Sequence, residues 1–153
     1  MNILFVCKHN RFRSKVAEAF FKKYNKNKKI EVKSAGIAID ILRPYMCKNV
    51  KDILEEKGIK MIGTEQLHSL SPEIQMKNGF CDEQSREINE QDIKWADKII
   101  VVSNNVDYSI FPKEKLEVWE IEDAGESEKE KIREIIEKIE KRIKGLIKKD
   151  DAL

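Results

Sequence analysis

Cys7, Arg13 and Ser14 are residue types that together can hold a phosphoryl group or a similar tetrahedral oxyanion, and five residues separate the thiol from the guanidinium. A cysteine reacts as its thiolate, a form favoured by the positive end of a helix and by its unpaired N–H groups. The segment Lys8-His9-Asn10-Arg11-Phe12 can wrap its backbone N–H groups around one centre, as phosphate-binding nests do. Arg13 brings a planar fork that matches two oxygens of the anion. Ser14 can donate its hydroxyl to the sulfur, and Asn10 suits a left-handed turn because its short polar side chain tolerates positive φ. A cysteine and an arginine at this spacing are common, and a cysteine at a strand end is more often a small buried hydrophobe. The flanking sequence decides between the two readings.

Before Cys7 runs Asn2-Ile3-Leu4-Phe5-Val6, an apolar stretch that reads as a buried strand. From Ser14, residues Val16, Ala17, Ala19, Phe20, Phe21 and Tyr24 recur at helical spacing among Lys and Glu. The thiol therefore sits at the carboxyl end of a strand, on a short loop that opens a helix. A second group of interest is Asp123, just after a strand predicted over 116–121 and just before Gly125, with Glu120, Glu122 and Glu126 around it. Asp123 is the candidate general acid, and Glu122 is the second choice.

Further elements position these residues. A short strand is expected over 30–33, broken by Ala35-Gly36. Pro44 could open a helix reaching Lys57, with Gly58 as its stop. Residues 61–82 give no clear periodicity. Asn89 can cap a helix to about Trp95, and 98–102 is a nearly continuous apolar strand of the kind found in parallel sheets covered on both faces. Ser127 and Glu130 have capping-box spacing. Beyond them Ile132, Ile135, Ile136, Ile139, Ile143, Leu146 and Ile147 fall on one face of a long helix, with mixed charges on the other. Strands alternating with helices give a doubly wound parallel α/β sheet, and such sheets bind ligands beyond the carboxyl ends of their strands. Cys7 and Asp123 both belong on that edge.

The segment from Ile3 to Ser14, continued by Ala17-Glu18-Ala19-Phe20, resembles the low-molecular-weight protein tyrosine phosphatase family, which shares its fold with one class of arsenate reductases. Weaker matches follow in family order at Ser34-Ala35-Gly36, at Ser85-Arg86-Glu87-Ile88 and at Trp119-Glu120-Ile121-Glu122-Asp123. The resemblance implies a three-layer α/β/α sandwich with a central four-stranded parallel sheet and a phosphate-binding loop after strand one. It implies hydrolysis of phosphotyrosine, or of another aryl phosphate, through a phosphocysteine, without a cofactor. Cys7 would be the nucleophile and Arg13 the transition-state clamp, with Asp123 as the acid. Lys8, His9, Asn10, Arg11, Phe12 and Ser14 would bind substrate, and Ser34 would help Asn10 hold the loop. Phe12, Tyr45 and Tyr108 are candidates for an aromatic wall. Departures from the family pattern are equally specific. Asp123 is followed by Ala124 rather than proline, Phe12 stands where many members have a second cysteine, and His9 replaces a usual glycine. The His9-Asn10 pair looks more like the arsenate reductases, yet Ser103 and Ile110 stand near where their resolving cysteines fall. Residues 58–85 also look longer than in the usual member. The alternatives are a single-cysteine arsenate reductase using an external thiol and a noncatalytic oxyanion-binding module.

Length and composition bound the rest. A chain of 153 residues is expected to be one domain, 1–153, with a substantial core. A net charge of +2, with bases and acids intermixed, demands no nucleic-acid partner. The expected partners are a phosphorylated protein or small aryl phosphate, with inorganic phosphate as product, and the expected state is a monomer. No apolar stretch is long enough to span a membrane and no signal peptide opens the chain, so the expected location is cytoplasmic. Cys7, Cys47, Cys81, His9 and His68 lack the spacing of a zinc site, so no metal is expected. Cys47 and Cys81 are distant from Cys7 in sequence, and no internal disulfide with Cys7 is expected. Charged residues make up 38% of the chain, mostly Lys and Glu, a surface that leans towards heat adaptation.

Overall fold

Strand β1 (Asn2–Cys7) is buried from Ile3 onward, and its alternation splits the core in two. Ile3 and Phe5 face one side of the sheet, Leu4 and Val6 the other. The computed structural model describes residues 1–151. In chain order β1 is followed by α1 (Arg13–Tyr24), β2 (Glu31–Gly36), α2 (Lys48–Glu56), β3 (Lys60–Ile62), α3 (Thr64–His68), α4 (Pro72–Asn78) and β4 (Phe80–Asp82). Then come α5 (Glu90–Trp95), β5 (Lys98–Val102), a 3-10 turn at Tyr108–Ile110, β6 (Leu116–Trp119) and α6 (Lys129–Asp151).

β2, β1, β5 and β6 form a four-stranded sheet in that order, with every pairing parallel. Helices cover both faces, giving the expected three-layer α/β/α architecture. One face packs Ile3, Phe5, Ile100, Val102 and Trp119 against α1, α2 and α6. Phe20 and Phe21 of α1 meet Ile132, Ile135, Ile136, Ile139 and Ile143 of α6 there, all at most 1% exposed. The other face packs Leu4, Val6, Ile99 and Val101 against Ile93, Trp95 and Ala96 from α5 and its C-terminal cap, and against Phe111. No described helix is long and apolar enough to cross a membrane.

Several boundaries differ from the sequence reading, each for a tertiary reason. β2 does not break at Ala35-Gly36 but runs through Gly36, pairing Cys7 with Gly36 at the end of the register. Gly36 is needed there, because a Cβ would lie 2.8 Å from the His9 carbonyl carbon and 2.9 Å from the Asn10 nitrogen. Helix α2 starts at Lys48 rather than at Pro44. The backbone of 44–45 is engaged elsewhere: Ser85 N–H donates to the Pro44 carbonyl, Tyr45 bridges Gln84, and Arg11 Nε donates to the Tyr45 carbonyl. The expected stop holds. Gly58, at φ +83°, sends its N–H to Glu55 while Ile59 N–H reaches Leu54, the paired bonds of a Schellman cap. Asn89 and Asp92 form a complete capping box on α5. At α6 the expected Ser127 box is replaced by Glu128, whose carboxylate accepts from the Gly125 N–H at 2.7 Å. Residues 60–82 build a small parallel β3–β4 pair with two short helices between its strands.

Candidate active site

The loop after β1 is organised by Asn10, a wholly buried residue at φ +54°. Its Oδ1 accepts from Arg86 N–H at 2.9 Å, which fixes the amide orientation. The amide nitrogen must then donate, and it reaches Ser14 Oγ at 2.7 Å and Ser34 Oγ at 3.0 Å. Both hydroxyls accept from Asn10, so their own protons point onward. Ser34 donates to Glu18 Oε1 at 2.6 Å, and Ser14 donates to Cys7 Sγ at 2.9 Å. Asn10 N–H adds a second donor to the sulfur at 3.3 Å. Two donors therefore converge on a sulfur that is only 2% exposed.

Segments distant in sequence clamp this loop from outside. Ser85 Oγ donates to the Asn10 carbonyl at 3.0 Å. Arg86 holds Asp92 in a two-pronged contact at 3.0 Å each, so the α5 cap also fixes the backbone that binds Asn10. Glu18, at the far end of the chain of bonds, is nearly buried. Burial raises its pKa, but Lys22, Lys15 and the Ser34 hydroxyl more than offset this and hold the carboxyl below its ordinary value.

Arg13 is 2% exposed and opens α1. One of its nitrogens donates to the Ile121 carbonyl at 2.9 Å, the other to Asn105 Oδ1 at 3.0 Å. Asn105 Oδ1 is also held by Ser103 Oγ at 2.5 Å. These acceptors are neutral. Among the described residues the one carboxylate paired with Arg13 is Asp123, whose Oδ2 lies 3.6 Å from the guanidinium. Two of the five guanidinium N–H donors are thus spent on positioning, leaving the others for an anion.

Cys7, Arg13 and Asp123 meet in one pocket of about 80 Å³, also lined by His9, Arg11, Phe12, Cys47, Val50, Ala124, Glu126 and Ile132. At its mouth Arg11 pairs with Glu126 at 2.7 Å, tying the loop after β1 to the segment after β6. Arg43 reaches the same Glu126 oxygen at 3.5 Å, and Asn49 Nδ2 donates to the Glu126 carbonyl. His9 Nδ1–H donates to the Ala38 carbonyl at 2.6 Å, because a carbonyl can only accept. Its other ring nitrogen is left for the pocket.

The sequence-predicted residues divide accordingly. Cys7, His9, Arg11, Phe12, Arg13 and Asp123 line the pocket. Asn10, Ser14 and Ser34 lie behind it and orient it. The Lys8 side chain is exposed, and only its carbonyl takes part, accepting from Ala38 N–H. Glu122, the second choice for the acid, pairs with Lys138 and does not line the pocket. Of the three candidate aromatics only Phe12 lines it; Tyr45 and Tyr108 are 51% and 44% exposed and stand outside. Asn105, Glu126 and Cys47 were not anticipated as site residues. The polar run Ser103-Asn104-Asn105 at the carboxyl end of β5 was a readable signal for the first of them. Among the described residues no group of three or more His, Cys, Asp or Glu is placed to hold a metal ion.

A family model described as "Low molecular weight phosphotyrosine protein phosphatase" matches residues 2–152. No curated protein matches the chain. Among solved structures, the YwlE arginine phosphatase from Geobacillus stearothermophilus superposes with a TM-score of 0.76 at 23% identity, covering 99% of this chain and 93% of that one. An arsenate reductase from Archaeoglobus fulgidus gives 0.67 at 27% identity, covering 95% of this chain and 98% of that one. A low molecular weight protein tyrosine phosphatase from T. tengcongensis gives 0.70 at 22% identity, covering 97% of this chain and 99% of that one. The chain belongs to the low molecular weight phosphotyrosine protein phosphatase family.

Proposed function

We propose that this member of the family hydrolyses aryl phosphate monoesters, phosphotyrosine in a protein among them, through a covalent phosphocysteine. The observation that carries the reading is the convergence on one pocket of Cys7 and Arg13, from the two ends of the loop after β1, with Asp123, from beyond β6. Cys7 Sγ attacks phosphorus in line and the ester oxygen leaves. The loop N–H groups and Arg13 take up the charge that develops on the equatorial oxygens. Asp123 gives its proton to the leaving oxygen. It then takes one from the water that attacks the phosphocysteine and releases inorganic phosphate. Ser14, donating to the sulfur, stabilises the thiolate both as nucleophile and as leaving group. Phe12, Val50, Ala124 and Ile132 supply apolar surface for an aromatic ring.

A second substrate, phosphoarginine, is favoured by one contact. Glu126 already binds a guanidinium at the pocket mouth, that of Arg11 at 2.7 Å, and a substrate guanidinium could take its place. Arsenate is a third, given the likeness to an arsenate reductase at 27% identity. Side-by-side turnover of an aryl phosphate, a phosphoarginine peptide and arsenate, each with and without thiol donors, tests the reading. Fast phosphate release from the aryl ester without thiol is the expected result. Thiol-dependent arsenate reduction with no ester hydrolysis would overturn it. Preferential release from phosphoarginine would shift the substrate and keep the mechanism.

A further inference from the structure

Asp123 lies in a stretch without regular structure, between the end of β6 and the start of α6, and its side chain is 47% exposed. Ala124 and Gly125 follow it, so no proline ring fixes the chain there. Its direct tie to the pocket is the 3.6 Å contact with Arg13. That tie is lost during the reaction, because an acid about to donate is uncharged and Arg13 is then engaged by the phosphoryl oxygens. Another contact must hold the acid near the leaving oxygen. The chain is anchored on both sides of Asp123. Before it, the Ile121 carbonyl accepts from Arg13 at 2.9 Å and from the Asn104 N–H at 3.0 Å. After it, the Glu126 carboxylate meets Arg11 at 2.7 Å and Arg43 at 3.5 Å, and the Glu126 carbonyl accepts from Asn49 Nδ2 of α2 at 2.7 Å. Both arginines are themselves braced. Arg11 Nε donates to the Tyr45 carbonyl at 2.9 Å, and Arg43 Nε donates to Asp40 Oδ2 at 3.0 Å. A carboxylate at the mouth of an anion pocket repels the substrate, so Glu126 opposes binding and needs another reason to stand there.

We propose that Glu126 is a positioning residue for the general acid. The clasp it forms with Arg11, Arg43 and Asn49 keeps Asp123 at the leaving oxygen once the phosphoryl group has taken Arg13. Glu126 acts only through Asp123. The loop that carries the nucleophile thereby holds the acid's segment from both sides, through Arg13 on Ile121 and through Arg11 on Glu126. Misplacing a reacting group by about 1 Å costs up to roughly a hundredfold in rate, so a clasp of this kind is felt in turnover even though its ion pairs add little to stability.

This inference rests on the phosphatase reading, with Asp123 as the acid. The test measures kcat and KM of the full-length protein on a leaving-group series of aryl phosphates, with Glu126→Gln and Asn49→Ala made alone and in Asp123→Asn. Glu126→Gln should lower kcat for the poorest leaving groups about three- to thirtyfold, the range of charge-assisted bonds at a partly exposed site, and far less for the best ones. Asn49→Ala leaves every charge in place and should show the same pattern at a smaller size. In Asp123→Asn neither substitution should cost anything further, because the acid they serve has gone. Phosphate affinity by calorimetry should hold or tighten in Glu126→Gln, since a negative charge leaves the pocket mouth. An equal loss along the series, with weakened phosphate binding, marks Glu126 as a support of the whole pocket and overturns the proposal. So does a loss that persists undiminished in Asp123→Asn, or no loss at all. The functional reading fails separately: Cys7→Ser that still hydrolyses the ester would sink it, whereas failure of the Glu126 pattern in an enzyme that requires Cys7 sinks only the clasp.

Discussion

The carboxyl edge of the four-stranded sheet and the small unit on β3 and β4 are built from the same alternation of strand and helix, yet they are held together differently. At the sheet edge the side chain and carbonyl of Asn10 each have a designated partner, and the partners come from β2, from α1 and from residues 85–86. In the small unit α4 buries none of its residues, and Ile74 and Met76 are 45% and 74% exposed. Its polar contacts are mostly local, such as Gln75 Nε2 to the Leu67 and Leu70 carbonyls. A reacting centre needs groups locked by bonds from distant parts of the chain, and only one of the two regions has them.

The largest expected effect is at the pocket floor. Cys7→Ser should abolish turnover yet leave oxyanion affinity largely intact, because the cradle is mainly backbone; phosphate binding by calorimetry beside a turnover assay checks both halves. Arg13→Lys should also be severe, since a point charge cannot replace a fork already anchored to Ile121 and Asn105. Next comes Asp123→Asn, expected to slow esters with poor leaving groups by roughly 10²- to 10⁴-fold and those with good ones far less. A leaving-group series measures this, and an equal loss across it would remove Asp123 from the acid's role. Asn10→Ala should cost about a hundredfold in kcat/KM, as when an oxyanion donor is lost. It should also cost about 1–3 kcal/mol in urea unfolding, because the Arg86 N–H and two hydroxyls lose a buried partner.

Acid pH should act on the same network. Burial works against the carboxylates of Glu18 and Glu140, but their partners prevail and hold both below the ordinary 4.5. For Glu18 those partners are Lys22, Lys15 and Ser34; for Glu140 they are Tyr24, Lys57 and Lys144. A depressed carboxyl stabilises the fold fully above its unfolded value and loses that contribution as pH falls through the folded value. Stability measured by urea midpoint should therefore drop below about pH 4.5, and Glu18→Gln should flatten part of that slope. The smallest effect belongs to the other region: Met76→Ser and Ile74→Ser should each shift stability by no more than about 0.5 kcal/mol and leave kcat/KM unchanged. A marked loss of activity there would break the contrast between the two regions.

The sequence made the first region partly legible, for a physical reason. Cys7, Arg13 and Ser14 are neighbours along the chain, and their strand–loop–helix setting is local. The paired strands at 98–102 and 116–119 and the isoleucine face of α6 are long enough for periodicity to show. Glu126 and Cys47 carry no local signal of their own, because they reach the pocket only through the pairing of β6 with β5 and the docking of α2, whereas Asn105, which holds Arg13, is marked only by the polar run that ends β5. The start of α2 was misplaced because Pro44 and Tyr45 spend their backbone on Ser85, Gln84 and Arg11, partners invisible in a local window. Residues 60–82 resisted reading because strands of three residues and helices of five and seven are too short to display a period.

Asn10 draws its partners from 4, 24, 75 and 76 positions along the chain. A polypeptide emerging from the ribosome thus carries its thiol and arginine long before it can aim them. Until residues 85 and 86 have been synthesised and laid against the loop, Asn10 lacks two of the bonds that hold its left-handed turn. The half-made chain carries both groups without the loop that orients them, and that loop is complete only when synthesis has passed the middle of the sequence and the sheet has closed around it.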